Sequence, residues 1–485
     1  MDLTLLLRQR FGFPDFRPAQ RQVIDRIMDG ESLLAVMPTG SGKSLCYQLP
    51  ALILPGLTIV ISPLIALMKD QIDQLGRLSL PATVINSTVS RELQRARLKR
   101  VRDGQVKILY IAPERFQSDE FLETLAGTEI SLVAVDEAHC ISLWGHDFRP
   151  DYLRLKQFVK QVKAARVLAL TATATPVVRK DIVRQLGIER APQIISGFDR
   201  PNLYLEVSEV SSTVEKVRAI SAVARSEKLG IVYAGTRKNV EEIQANLRRA
   251  GIECLAYHAG LMTNDRKLVQ DRFMKADRCV IVATNAFGMG IDRREVRFVI
   301  HSDIPASLEA YYQEIGRAGR DGDSARCLLL FNYADKRIPE FLIDSHHPAP
   351  EILKYFFGKL CRLGTPTVVG DPWRKISETK DTRFHASIGL LQRAGYLERV
   401  QNQQGRGVRI LKSEDPNLTG LNFDELASRR EFEYRKLGVM LNYASRFKEH
   451  CYRSFILSYF GEWTGNHECG NCSRCAPEKQ ISRRA

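Results

Sequence analysis

The sequence predicts an α/β protein containing two tandem parallel-sheet domains, and three observations predict it. Short apolar runs alternate with polar, helix-compatible segments from Leu33 to about Ser196. The alternation pauses at Gly197-Phe198-Asp199-Arg200-Pro201-Asn202, a turn-rich linker, and restarts from Gly230 to Phe331. A glycine-bearing loop, Met37–Ser44, follows the first apolar run. Buried β-branched runs separated by helices require a parallel sheet covered on both faces.

The first run, Ser32-Leu33-Leu34-Ala35-Val36, reads as a buried strand, and Leu45–Leu49 reads as the start of a helix. Thr39, Gly40, Ser41, Gly42, Lys43 and Ser44 lie between them, where backbone N–H groups and the positive helix end can cradle phosphate. In such a cradle Lys43 reaches the β- and γ-phosphates of a nucleotide and Ser44 holds Mg2+. Glycine is required at 40 and 42 because a side chain would block the approach of phosphate to backbone. Met37 stands where the strict pattern has glycine, so the loop is a variant form.

Further strands are expected at Leu57–Ser62, Ile108–Ala112, Leu132–Asp136 and Arg166–Thr171. Those of the second sheet are Gly230–Ala234, Cys279–Ala283, Val296–Ser302 and Arg326–Phe331. His346-His347-Pro348-Ala349-Pro350 then breaks the pattern. Beyond it, short helices over Ile376–Leu391 precede two strands, Gly395–Val400 and Gly407–Leu411, around a polar tip at Gln401–Arg406. Helices followed by a basic two-stranded wing resemble a winged-helix fold, with Arg399, Arg406 and Arg409 as candidate DNA contacts and a solvated wing as the alternative. Asp424–Phe460 reads as one long helical pattern ending in the aromatic cluster Phe455, Tyr459 and Phe460. The expected domains are 1–196, 197–347, 348–423 and 424–485.

Composition bounds the function classes. With 44% hydrophobic and 26% charged residues, the chain is globular and not disordered. A net charge of +15 suits a polyanionic partner; the alternative is a basic surface that only confers solubility. No apolar run reaches the roughly 18 residues that a bilayer span needs, and the N-terminus lacks a secretory pattern. The expected location is the cytoplasm, at the nucleoid if the source is bacterial, with no membrane partner.

Two stretches carry further chemistry. Asp136-Glu137-Ala138-His139 ends an apolar strand, where open parallel sheets place ligands. Asp136 there can hold Mg2+, Glu137 can orient and deprotonate an attacking water, and His139 can sense the γ-phosphate. In Gln313-Glu314-Ile315-Gly316-Arg317-Ala318-Gly319-Arg320-Asp321-Gly322, two arginines flanked by glycines suit a finger that enters from the opposite domain. Their planar forks bring positive charge onto a departing phosphate. Gln313, Arg317 and Arg320 are the catalytic candidates of this stretch.

Together these motifs resemble the RecQ family of DNA helicases within superfamily 2, over about Phe11–Asp335 and Asp424–Cys475. Phe16-Arg17-Pro18-Ala19-Gln20 looks like the family's adenine-reading motif, which implies that Gln20 and Arg17 contact the base and Phe13 stacks on it. Ser62–Leu67 and Tyr110–Arg115 resemble strand-contacting motifs. Thr171-Ala172-Thr173-Ala174 resembles a coupling motif, and Ala283–Asp292 resembles its counterpart in the second domain, which implies nucleotide contact by Gly290 and Asp292. Ala138–Tyr152 resembles the aromatic loop that senses single-stranded DNA, with Leu143 where glutamine is usual. Trp144 and Phe148 would offer π faces to bases and Arg149 charge to phosphate, core packing of the two rings being the alternative.

Cys451, Cys469, Cys472 and Cys475 follow the family's zinc pattern. Four thiolates close a tetrahedral Zn2+ site; an iron–sulfur cluster takes the same donors, and unmetallated thiols are the third reading. The resemblance implies ATP, Mg2+ and Zn2+ as cofactors and 3′-to-5′ unwinding. It implies single-stranded, duplex or branched DNA as partner, a single-strand-binding protein beside it, and a monomeric state. An RNA-remodelling ATPase and a non-catalytic DNA-binding scaffold are the rival readings.

Overall fold

A computed structural model describes residues 2–117, 119–145, 147, 149–288, 293–379, 381–402, 405–445, 451–463, 465 and 468–477. Phe148, Gly290, Asp292 and the expected wing tip at Gln404 lie outside the described residues. The chain forms two compact units, one of Met1–Asp303, Leu308–Phe331 and Tyr443–Ala485, the other of Ile304–Ser307 and Asn332–Asn442.

The first unit holds two parallel sheets. Strands β1 (Leu33–Val36), β2 (Leu57–Ile61), β3 (Ala82–Ile85), β4 (Ile108–Ile111), β5 (Ile130–Val135), β6 (Val167–Thr171) and β7 (Gln193–Ile195) run in the order β3-β4-β2-β5-β6-β1-β7. Strands β1, β2, β4, β5 and β6 are buried along their whole length, as continuous apolar runs require when helices cover both faces. The second sheet comprises β8 (Leu203–Glu209), β9 (Leu229–Tyr233), β10 (Cys254–Tyr257), β11 (Cys279–Ala283), β12 (Phe298–His301) and β13 (Ala325–Phe331), ordered β10-β11-β9-β12-β13-β8. Every expected strand is present. Strands β3, β7, β8 and β10 were not expected: β3 and β7 are partly exposed sheet edges, and β8 carries the charged Glu206 in its middle.

The order of β1, β5 and β6 brings two loops to one sheet edge. Register pairs Val36 with Thr171 and Val135 with Ala169, so the loops after β1 and β5 emerge together at the carboxyl ends of the strands. Helix Pro18–Met28 starts on a proline, whose missing N–H costs nothing at a first helical position, and buries Val23, Ile24 and Ile27 on one face. That packing holds Gln20 beside the loop after β1.

The second unit includes helices Arg337–His346 and Pro350–Cys361, β14 (Thr367–Val369), helices Gly370–Ser377 and Arg383–Arg393, the hairpin β15 (Leu397–Asn402) and β16 (Gly405–Ile410), and most of helix Phe423–Ala444. Its antiparallel sheet has the order β14-β16-β15 over a core that includes Leu353, Phe357, Phe384, Leu391 and Val408. The helices and wing expected from sequence are joined by an unexpected first helix and first strand. A Cβ at Gly407 would lie 1.9 Å from the Val368 carbonyl oxygen, so β14 can pair there only with glycine. The hairpin corrects the expected tip: Gln401 pairs with Arg406 and Asn402 with Gly405, so four of the six tip residues belong to the strands. Gly405, at φ 121°, supplies the conformation that this tighter return needs.

The expected single helix over Asp424–Phe460 is two helices, Phe423–Ala444 and Tyr452–Tyr459. Cys451 caps the start of the second, so the metal-ligand set interrupts a pattern whose apolar period continues on both sides. Among the described residues no helix is long and apolar enough to cross a membrane.

Candidate active site and metal centre

The loops after β1 and β5 face the Gln313–Gly322 stretch across a cavity of about 560 Å³ lined by Thr39, Lys43, Ser44, Asp136, Glu137, Gln313, Arg317 and Arg320. Gly40 and Gly42 adopt φ of 79° and 76°, a region that side chains disfavour. Space forbids one as well: a Cβ on Gly42 would lie 2.5 Å from the Gln20 amide nitrogen, and one on Gly40 3.3 Å from the Arg320 side chain. The Lys43 ammonium donates to the Met37 and Pro38 carbonyls at 3.2 and 3.4 Å. Burial lowers its pKa, and the charges of Glu137 and Asp136 oppose that.

Asp136 is buried at the end of β5, and burial pushes its carboxyl up to about 7; the Glu137 charge adds to the rise and Lys43 opposes it. A carboxylate held this way gains from a cation beside it, which suits a magnesium ligand. Glu137 turns at φ 48°, a left-handed conformation held by its N–H donating to Asp136 Oδ1 at 3.0 Å. The turn brings its Oε2 to 3.4 Å from His139 Nδ1, which also lies 2.9 Å from Thr171 Oγ1. His139 thus joins the carboxylate pair to the end of β6.

Arg17 and Gln20, expected to read a base, lie against the phosphate loop. Arg17 donates to the Gly40 carbonyl, and Gln20 Nε2 donates to the Ser41 and Gly42 carbonyls at 2.9 and 3.2 Å, while its Oε1 accepts from the Arg17 N–H at 3.0 Å. Both shape the phosphate loop in this structure. Phe13, 44% exposed just after the left-handed Gly12, presents a ring to solvent, as stacking on a base requires.

From the second sheet, Arg317 is buried and donates to the Gly288 carbonyl, and Arg320 lies against Gly40. Thr39 Oγ1 donates to the Gly316 carbonyl at 3.1 Å, which ties the phosphate loop to the finger loop. Two features were missed from sequence. Arg294 also lines the cavity, and the linker's Arg200 donates to the carbonyls of Gly316, Ala318 and Gly319. A basic residue inside a turn-rich linker was the signal for Arg200.

The aromatic-loop candidates are only partly assembled. Trp144 is half-buried, its backbone N–H donating to Ser142 Oγ at 3.2 Å. A Cβ on Gly145 would lie 2.3 Å from the His139 carbonyl oxygen, so this loop packs on the backbone of the carboxylate turn. Arg149 is not presented as a free cation: it bonds Asp147 Oδ2 at 3.1 and 3.2 Å and the Pro63 carbonyl at 2.9 Å. In the wing, register places Arg399 and Arg406 on one face and Arg409 on the other, where it pairs with Glu398 at 3.0 Å. The three arginines therefore do not form one patch.

The sulfurs of Cys451, Cys469, Cys472 and Cys475 lie within 4.8 Å of one another. Thiolates around a tetrahedral Zn2+ at about 2.3 Å require sulfur separations of that order. All four donors are sulfur, so the set fits a structural zinc, whose binding would tie the start of helix Tyr452–Tyr459 to the chain around Cys472.

Residues 17–181 match the DEAD/DEAH box helicase family, 213–322 the helicase conserved C-terminal domain, and 408–476 the RecQ zinc-binding domain. ATP-dependent DNA helicase RecQ of Bacillus subtilis is 45% identical over 343 residues, covering 70% of this chain and 58% of that protein. The same organism's probable ATP-dependent DNA helicase RecS is 36% identical over 480 residues, 98% of this chain and 92% of that protein. The chain belongs to the RecQ family. It spans little more than half the length of the RecQ proteins of Bacillus subtilis, Haemophilus influenzae and Pasteurella multocida. In fold, this RecQ-family chain is similar to the helicase Lhr of Mycobacterium smegmatis bound to single-stranded DNA and AMP-PNP, with a TM-score of 0.54 at 22% identity over 86% of this chain and 61% of that one. ATP and zinc are the cofactors that its helicase and RecQ zinc-binding domains take.

Proposed function

We propose that the chain is an ATP-dependent DNA helicase that moves 3′-to-5′ along single-stranded DNA and unwinds duplex or branched DNA in recombination and repair. One observation carries this reading: Lys43, Asp136 and Glu137 face Arg317 and Arg320 across a single cavity, so the groups needed for phosphoryl transfer come from both sheets. In this reading Lys43 leaves its loop carbonyls for the β- and γ-phosphates, and Glu137 orients the attacking water and takes its proton. Arg317 and Arg320 neutralise the charge that develops on the departing phosphate. Mg2+, which Ser44 and Asp136 would hold, supplies further positive charge at the phosphate oxygens when bound. His139 and Thr171 pass the state of the carboxylate turn to the end of β6, and the packing of Gly145 on His139 carries it to Trp144.

Trp144, Phe148 and Arg149 contact single-stranded DNA in this reading, and Arg399 and Arg406 meet duplex at the wing. The same reading makes the chain a monomer acting in the cytoplasm, at the nucleoid if the source is bacterial, with a single-strand-binding protein among its partners. The test is ATP turnover by the purified chain with magnesium and, in parallel, single-stranded DNA or RNA. DNA should stimulate turnover, and Lys43→Ala should abolish ATPase and unwinding while DNA affinity stays within about threefold. Stimulation by RNA alone, or unwinding by the Lys43 variant, would overturn the proposal.

A further inference from the structure

We propose that Arg200 positions the finger arginines Arg317 and Arg320, and that Arg453 of the four-cysteine element holds Arg200 in place. This rests on the ATPase reading above and names the residues that set its finger. Arg200 Nη1 donates to the Gly316 carbonyl at 3.3 Å, and Nη2 donates to the carbonyls of Ala318 and Gly319 at 2.8 and 2.9 Å. The carbonyls on either side of Arg317 are therefore held by one guanidinium. Asn202 Nδ2 adds bonds to the Gly319 and Asp323 carbonyls at 2.9 and 2.8 Å, closing the loop that carries Arg320. The Gly316 carbonyl also accepts from Thr39 Oγ1, so linker, finger loop and phosphate loop meet at one oxygen.

Arg200 is held in turn by Arg453. Arg453 is buried two residues after Cys451, and its Nη1 donates to the Arg200 carbonyl and to Asp199 Oδ1, both at 2.6 Å. Its Nη2 donates to the Leu203 carbonyl at 2.6 Å. Asn471, between Cys469 and Cys472, fixes the linker again by donating to the Pro201 carbonyl at 2.8 Å. The arrangement is a chain of contacts from cysteine element to linker to finger loop. Arginine is needed at 200 because a planar fork spans carbonyls several ångströms apart, whereas a lysine ammonium donates from one point.

The test uses the full zinc-loaded chain and compares Arg200→Ala, Arg200→Lys and Arg453→Lys with wild type. It measures DNA-stimulated kcat, affinity for a fluorescent non-hydrolysable ATP analogue, melting temperature and zinc per chain. Displacing the finger by about an ångström should lower kcat about 10- to 100-fold. Analogue affinity should stay within about threefold, a split that general destabilisation would not produce. Arg200→Lys, which keeps charge and bulk, should fold and show an intermediate kcat; it decides the matter if the alanine variant is insoluble. Arg453→Lys should lower kcat with zinc retained. Wild-type kcat in a folded Arg200→Lys, or kcat and analogue affinity falling together, overturns the proposal, as does zinc loss accounting for the Arg453 effect. A wild-type chain that turned over no ATP would instead remove the function beneath it.

Discussion

Gly316→Ala tests the contact between the phosphate loop and the finger loop. The added Cβ would lie 2.2 Å from Thr39 Oγ1 and 3.1 Å from the Tyr312 carbonyl oxygen. A carbon–oxygen contact needs about 3.3 Å, so the Thr39 hydroxyl must turn off the Gly316 carbonyl, which breaks the tie between the two loops, or the loops must part by about 1 Å. Misplacement of that size costs on the order of 100-fold in rate, or about 2.7 kcal/mol of barrier. Gly316 is not among the positive-φ glycines, so alanine introduces no backbone strain and the steric term stands alone. The assay is DNA-stimulated ATP turnover beside binding of single-stranded DNA, which this substitution should leave unchanged. Adding Thr39→Ala removes the colliding oxygen, and the double variant should recover about tenfold of the lost rate. Wild-type turnover by Gly316→Ala, or a double variant slower than both single ones, would refute the reasoning.

Other expectations concern the metal and the second unit. Cys469→Ser removes one of four sulfur donors and should lower both zinc content by metal analysis and folding yield; a soluble, zinc-loaded, fully active variant would count against a structural metal. His347 is held at a pKa of about 4, by burial first and then by the charges of His346, Arg429, Lys436 and Arg430. Its unfolded value is about 6.5, so between these values the unfolded chain binds the extra proton and stability falls as pH drops from 6.5 to 4, by about 2–3 kcal/mol. His347→Gln should flatten that acid limb of the melting temperature, and an unchanged slope would exclude His347 as its source.

The catalytic half of this molecule was legible because its signals are local. Strands β1 and β5 are continuous apolar runs; the glycine-bearing loop that ends in Lys43 and Ser44 follows the first, and the acidic pair Asp136-Glu137 follows the second. What ties those motifs together was not legible. Thr39 and Gly316 are 277 residues apart, and neither residue type announces a partner. Arg200 looked like linker polarity because its acceptors are backbone carbonyls, which leave no mark in a sequence. Strands β3 and β7 escaped because an edge strand keeps only part of its length buried. Arg149 looked free because its bond to the Pro63 carbonyl depends on a fold that brings residue 63 beside residue 149.

The segment after helix Tyr452–Tyr459, Phe460–Glu462, grips the linker from one side. The Phe460 ring lies flat on Phe198 with centroids 4.5 Å apart, Glu462 Oε1 accepts from the Phe198 N–H at 2.6 Å, and the Phe198 carbonyl accepts from Tyr312 of the second lobe at 2.8 Å. Arg179 of the first lobe donates to the Phe460 carbonyl, so position 198 is clasped from every quarter. Any widening of the nucleotide cleft that keeps this clasp is a swing around a pivot, not a parallel withdrawal. The lever arm then grows with distance from residue 198, so a small rotation there becomes a large excursion at the parts of the two lobes farthest from it.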